Sequence, residues 1–310
     1  VPATVAWGRT AMIVNERNLD LVYKGFKSTY TDAFLSATVH WDKIAMTVSS
    51  DGSDETYGWL GMFPQLREWI GPRVINGLKA HGFTITNRKF ESTVSIPRDN
   101  ISDDKLGVFR PAFSEMGQLA RTHPEELIFA LLAAGFETTC FDGQNYFDTD
   151  HPTLDKDGAP TTTSNADTSG SGPAWFLLDT SRGVKPIIWQ ERETYEFTQM
   201  TRPEEYNVFI NDEYLYGVRA RVNAGFGLWQ LAYGSNNTLN EANYAAARQA
   251  MMDFRSGEGR ILGVKPTTLV VPPALEDEAL HLLNTETKDG GGSNPYKATA
   301  DLIVTPYVAA

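Results

Sequence analysis

The sequence predicts an α+β fold, and three observations carry that expectation. Apolar residues recur at three- and four-residue steps over Asn15–Ala37 and Pro111–Ala134, which is helical spacing. Between Trp175 and Tyr233 aromatic and β-branched runs separated by turn residues predict strands. The last quarter alternates helix and strand without an internal repeat. At 310 residues the chain has the length of about two domains or one elaborated domain.

Composition removes whole classes of function. Hydrophobic residues make up 41% and charged residues 21%, ordinary for a packed protein and unlike a disordered chain or a fibre. The single cysteine, Cys140, excludes an internal disulfide and a multi-cysteine zinc knuckle, and fits a reducing compartment. The net charge of -12 has the wrong sign for a protein whose task is to neutralise phosphates. The longest apolar stretch, Leu127–Phe136, is far short of the ~20 residues that cross a bilayer. Residues Val1–Val14 lack the pattern of a signal peptide, so export is not expected.

In chain order, an extended N-terminal segment leads to the first helix, whose stripe is Leu19, Val22, Phe26, Tyr30 and Phe34. A helical stretch opens at Pro64, breaks at Gly71-Pro72 and resumes to Leu78. Phe83, Ile85, Val94 and Ile96 alternate with Thr and Ser around a polar Asn87–Lys89, which predicts a thinly apolar hairpin tipped by Arg88 and Lys89. Such a hairpin is marginal alone and needs outside support. Helices starting at Pro111 and Pro124 together predict one long, kinked helix ending at Gly135. Residues Gly143–Pro173 predict a polar surface loop.

Strands are expected at Trp175–Leu178, Ile187–Trp189, Tyr206–Ile210, Tyr214–Val222 and Phe226–Tyr233, joined into an antiparallel sheet with turns at Asn211-Asp212 and Asn223–Gly225. Tyr216, Val218, Ala220 and Val222 fall on its packed face, Arg219 and Arg221 on the other. Thr238 and Glu241 predict a capping box before a helix with the stripe Tyr244, Ala247, Met251, Phe254. A strand at Thr268–Val271, an acid-started helix through Leu275, Ala279, Leu282 and Leu283, a glycine run and a strand at Leu302–Val304 complete the chain.

Few residues fall in patterns that carry chemistry. Asp148, Asp150 and His151, with Asp142 nearby, are the types that ligate metals, but the spacing matches no metal pattern and turn capping by Asp accounts for them better. Cys140 has only His123 and His151 as neighbouring bases and is expected to be an inert interior thiol. No glycine run precedes a Lys-Ser or Lys-Thr pair as a phosphate loop requires. The expectation is no catalytic residue, no cofactor and no metal. The rival enzyme reading rests on Asp148, Asp150 and His151 as a metal site.

A resemblance adds what spacing does not. Leu239-Asn240-Glu241 with Ala245–Met252, the PTTLVVPP run Pro266–Pro273, Ala274-Leu275-Glu276 and Leu282-Leu283-Asn284 resemble the axial-domain segment of tailed-phage major capsid proteins. Asp142-Gly143 with Phe147–Pro152 is similar to the segment that precedes it there. Together with Trp175–Arg182, Pro186–Arg192 and Arg219–Leu231, nearly the whole chain resembles the major head subunit of Mu-like phages.

The resemblance implies the shell fold of tailed phages and herpesviruses. Its expected divisions are an N-terminal arm and first helix (1–45), a peripheral-domain segment (46–77), an extended hairpin loop (78–104), a spine helix (105–137), a loop-rich axial segment (138–174), a β-rich peripheral segment (175–236) and an axial domain (237–310). The expected interface is the hairpin, through Phe83, Ile85, Arg88, Lys89, Phe90, Glu91 and Arg98. The implied function is self-assembly as pentamers and hexamers into an icosahedral head around double-stranded DNA. The implied partners are neighbouring subunits, a portal, and a scaffold or decoration protein, with assembly in the bacterial host cytoplasm and no membrane. A tail-tube or decoration subunit is the alternative structural role.

Overall fold

A computed structural model of the chain describes residues 14–61, 82–103, 105–256, 259–287 and 291–309. The expected N-terminal arm before Val14 and the helical stretch at Pro64–Leu78 lie outside the described residues. The elements begin with α1 (Glu16–Ser36), α2 (Trp41–Ile44), β1 (Ala45–Ser49), β2 (Asp54–Tyr57), β3 (Phe83–Thr86) and β4 (Arg88–Pro97). They continue with α3 (Arg98–Ser102), α4 (Leu106–Ala133), β5 (His151–Leu154), β6 (Pro160–Thr163), β7 (Ala166–Asp167) and β8 (Trp175–Leu178). Then come β9 (Ile187–Met200), α5 (Tyr206–Asn211), β10 (Glu213–Phe226), β11 (Ala232–Ser235), α6 (Glu241–Met252), β12 (Thr268–Val271), α7 (Glu276–Asn284) and β13 (Asp301–Val304). The α+β expectation holds. No helix among the described residues is long and apolar enough to cross a membrane.

The chain divides into two compact units. The first comprises residues 1–39, 88–123 and 193–222. Asn15 caps α1 by accepting from the Asn18 N–H at 2.9 Å, and the predicted stripe Leu19, Val22, Phe26 and Tyr30 is buried. It meets Phe113 and Met116 of α4 and Phe197, Tyr214, Tyr216 and Val218 of β9 and β10 in one core. Phe26 stacks on Phe113 at 4.2 Å and crosses Tyr216 edge-on at 5.3 Å. β10 pairs antiparallel with β4 from Glu213↔Pro97 to Val222↔Arg88. Its side chains alternate as predicted, with Tyr216, Val218, Ala220 and Val222 buried and Arg219 and Arg221 bound to Glu193.

The second unit comprises residues 40–87, 124–192 and 223–310. Its sheet has the order β13-β12-β8-β11-β7, and β8 and β12 are buried along their whole length. β1 runs parallel to the start of β9, from Ala45↔Ile187 to Ser49↔Glu191. β2 and β3 form an antiparallel ribbon, Asp54↔Thr86 to Tyr57↔Phe83. Gln190 anchors that ribbon, accepting from Tyr57 Oη at 2.8 Å and donating to Ile85 O at 3.0 Å and Asn87 Oδ1 at 2.9 Å.

Several expectations are corrected. Phe83–Thr86 and Arg88–Pro97 do not pair with each other: β3 pairs with β2 and β4 with β10, because alternation identifies a strand but not its partner. Tyr206–Ile210 is helix α5, despite its strand-forming composition. The strands from Trp175 to Ser235 belong to two sheets, not one, and Asn223–Gly225 continues β10 instead of turning. Gly143–Pro173 is not a plain surface loop: it contains the β5–β6 hairpin, with His151 and Asn165 fully buried. The cap of α6 is Asn240, accepting from Asn243 N–H at 2.9 Å, in place of the expected Thr238.

Candidate functional site

The side-chain cluster of most chemical interest is built where residues 139–145 fold back on themselves through a Thr139↔Asn145 bridge. That turn brings Cys140 and Asp142 together, and β5 delivers His151 to them. His151 Nδ1 lies 2.8 Å from Asp142 Oδ2, and Nε2 lies 3.1 Å from Asn165 Oδ1. The imidazole stacks flat on Trp229, centroids 3.9 Å apart and planes 9° apart.

The orientation of Asn165 is fixed independently. Its Oδ1 also accepts from the Asp148 N–H at 2.9 Å, while its Nδ2 donates to the carbonyls of Tyr146, Ala232 and Trp229. Both ring nitrogens of His151 therefore face oxygen atoms, Asp142 Oδ2 on one side and Asn165 Oδ1 on the other. Burial works against the Asp142 charge, but hydrogen bonds from His151, Cys140 and the Gln144 N–H outweigh it and hold the carboxyl below its usual range.

Cys140, Asp142 and His151 place their ligand atoms within 4.8 Å of one another, the geometry of a metal or a nucleophile site. The connections differ from both. The Cys140 thiol donates to Asp142 Oδ1 at 3.1 Å, not to the histidine. Burial, reinforced by the Asp142 charge, pushes the thiol well above its ordinary range, the reverse of an activated nucleophile. His151 is fully enclosed and both its nitrogens are engaged. The cluster acts as a staple that fastens the 140–151 turn to Asn165 and Trp229.

Asp148 and Asp150 do not join it. Asp148 accepts from the N–H groups of Asn145 and Thr149 at 3.2 and 2.7 Å, the turn capping expected of it, and Asp150 is exposed. Asn165 is the member that sequence reasoning missed, and Cys140, for which His151 was one of two neighbouring bases in the sequence, meets Asp142 instead. Their approach depends on a short bridge and a hairpin, neither of which leaves a periodic signal.

The seven residues expected to form the interface are spread across different surroundings. Ile85 is buried in the second unit and lies so close to Gly225 that a Cβ there would meet it at 2.1 Å; Phe83 flanks the same spot. In the first unit Arg88 lies over the Phe90 ring, and Phe90 packs edge-on against His123 at 4.2 Å. Lys89 and Glu91 stand opposite Arg221 and Arg219 on β10. Arg98 opens α3 and pairs with Asp212 at 3.6 Å. Arg88 and Lys89 begin a strand and do not sit at a hairpin tip.

Most of the exposed large apolar side chains among the described residues belong to the first unit; Met252, Ile261 and Leu280 are those of the second. Of those in the first unit, Tyr206, Phe209 and Ile210 lie together on one short helix, and contiguous apolar surface of this kind marks association.

Comparison with known proteins agrees with that emphasis. Residues 19–308 match the family model described as the Mu-like prophage major head subunit gpT. The chain is 42% identical over 305 residues to the major capsid protein of Escherichia phage Mu, covering 96% of this chain and 100% of that one. It is 38% identical over 297 residues to the Mu-like prophage FluMu major head subunit of Haemophilus influenzae, covering 93% and 96%. Among solved structures it resembles a chain of the bacteriophage JBD30 procapsid with a TM-score of 0.84 and 43% identity, covering 95% of this chain and 100% of that one. A chain of the JBD30 capsid decorated with minor capsid protein trimers aligns with a TM-score of 0.73 and 31% identity, covering 89% and 93%.

Proposed function

Because this chain belongs to the Mu-like major head subunit family, we propose that it self-assembles as pentamers and hexamers into an icosahedral head that encloses double-stranded DNA. The observation that carries the reading is the family match over residues 19–308, joined to a backbone similar over 95% of the chain to a procapsid subunit. The physics agrees. Exposed apolar surface and an elaborate two-unit body suit a subunit whose free energy comes from many repeated weak contacts. An acidic chain does not grip packaged DNA by counterion release, so it contacts DNA without sequence preference and without hindering its exit.

The partners are neighbouring copies first, then a portal and scaffold or decoration proteins, and assembly takes place in the bacterial host cytoplasm. The extended loop of the shell fold is assigned to the β2–β3 ribbon, Asp54–Tyr57 with Phe83–Thr86, in place of the expected 78–104. The support is that β2 and β3 are the antiparallel pair, with a root fixed by Gln190 and Asn87, whereas β4 is committed to β10. Asn87 strengthens that root by donating to Ser50 Oγ at 2.8 Å and Gly52 O at 3.1 Å. Sedimentation and negative-stain microscopy of the purified protein test the reading. Fast-sedimenting closed shells support it; tubes would assign the chain to a tail, and a small particle that never associates would refute it.

A further inference from the structure

The β9–β10 connection carries a feature that the fold alone does not call for. α5 has only six residues, yet Tyr206, Phe209 and Ile210, at helical spacing on one face, are 73%, 77% and 57% exposed. The helix is held firmly. Val208 is buried in the core of the first unit, Glu205 accepts from the Arg202 N–H at 2.8 Å, and Asp212 ends the helix in the left-handed region at φ 52°. Asp212 is fixed in turn by the Arg98 N–H, which donates to its carbonyl at 3.0 Å, and by the Arg98 ion pair. Three large apolar side chains on a rigid mount form a patch of roughly a few hundred Å², the size that marks an interaction site.

The same unit holds a matching recess. Between α1 and the start of α4, Leu21, Val22, Gly25, Phe26 and Leu106 line an apolar slot of about 190 Å³, with Arg110 at its rim. Leu21 is itself 58% exposed. The segment that carries the knob is acidic, with Glu204, Glu205, Asp212 and Glu213 against Arg202. A second apolar slot on this unit, lined by Phe90, Leu119 and His123, has Glu91 among its lining residues and is the poorer electrostatic match.

We propose that Tyr206, Phe209 and Ile210 of one copy dock into the slot between α1 and α4 of a second copy. The inference rests on the capsid reading, in which copies of this chain surround one another. Within the closed rings of the capsid reading each knob enters the slot of the next copy, so the contact runs head-to-tail around the ring, which sets it apart from a reciprocal two-fold pair. Glu204 of one copy then approaches Arg110 of the next, which fixes the direction of docking.

The test uses Leu21→Cys combined with Phe209→Cys in the full chain, assembled and then mildly oxidised. Non-reducing gels should show a ladder of crosslinked chains extending past the dimer, absent from either single variant and lost on reduction; the buried Cys140 does not contribute. In parallel, Glu204→Arg and Arg110→Glu should each cut the yield of closed shells several-fold, and their combination should restore it. If parent and variant form shells yet the gel shows only monomers, or only dimers, the docking is wrong while the capsid reading stands. If the parent never forms shells, both fall together.

Discussion

His151 is the residue whose surroundings define its role most sharply, because both its nitrogens and one ring face are occupied inside the second unit. Removing one partner of a buried hydrogen bond leaves the other unsatisfied, at a cost of about 1–3 kcal/mol. Asp142→Asn and His151→Phe should each lower the denaturation midpoint, and the double variant should lose less than the sum of the two. The pH dependence has a definite sign. The Asp142 carboxyl is held below its usual range, so its contribution is complete above about pH 4 and is lost as pH falls through the depressed value. Acid titration of the folded protein should show extra destabilisation in the parent that Asp142→Asn lacks. The sequence drew attention to Asp148, Asp150 and His151 by residue type alone. Which carboxylate meets the imidazole was not legible, because the Thr139↔Asn145 bridge and the Asn165 position are contacts between segments.

At the scale of elements, a segment was legible where either its period or its composition pointed one way. The stripe of α1 stands where the spacing put it, since a buried face over 21 residues reveals its period. The four-residue strands β8 and β12, buried at every position, have no period and were legible as short continuous apolar runs. α5 defeated the same reasoning: Tyr, Val, Phe and Ile favour strands, but only Val208 needs burial and the Asp212 geometry closes a helix. The α1–α4 packing supplies a prediction. A Cβ on Gly117 would lie 2.2 Å from the Tyr30 carbonyl oxygen, so Gly117→Ala forces two helices apart. Alanine gains about 1 kcal/mol in helix propensity, yet overpacking against backbone costs about 1–3 kcal/mol or more. The expected outcome is net destabilisation, read by thermal denaturation, with Gly117→Val worse. On β4 the effect runs the other way. Lys89 stands opposite Arg221, so Lys89→Glu exchanges a like-charge cross-strand pair for an opposite one and should leave the midpoint unchanged or raised by up to about 0.5 kcal/mol.

For the whole molecule, the balance of acids, the lone thiol and the α+β class were readable from composition and periodicity, and the family was readable from the run Pro266–Pro273 with its neighbours. What stayed hidden was topology. Both units are stitched from three separate stretches, and α4, β9 and β10 each pass from one unit to the other, so no boundary appears as a linker or a shift in composition. Among the described residues the partition of surface follows the same hidden plan, with most exposed large apolar side chains in the first unit and the enclosed His151 staple in the second. The central claim is that copies of this chain close into a shell, and cryo-electron microscopy of the assembled protein tests it most directly. The account predicts closed particles whose icosahedral reconstruction is built from pentamers and hexamers of this fold. Uniform small oligomers, or open tubes with no five-fold vertices, would contradict it.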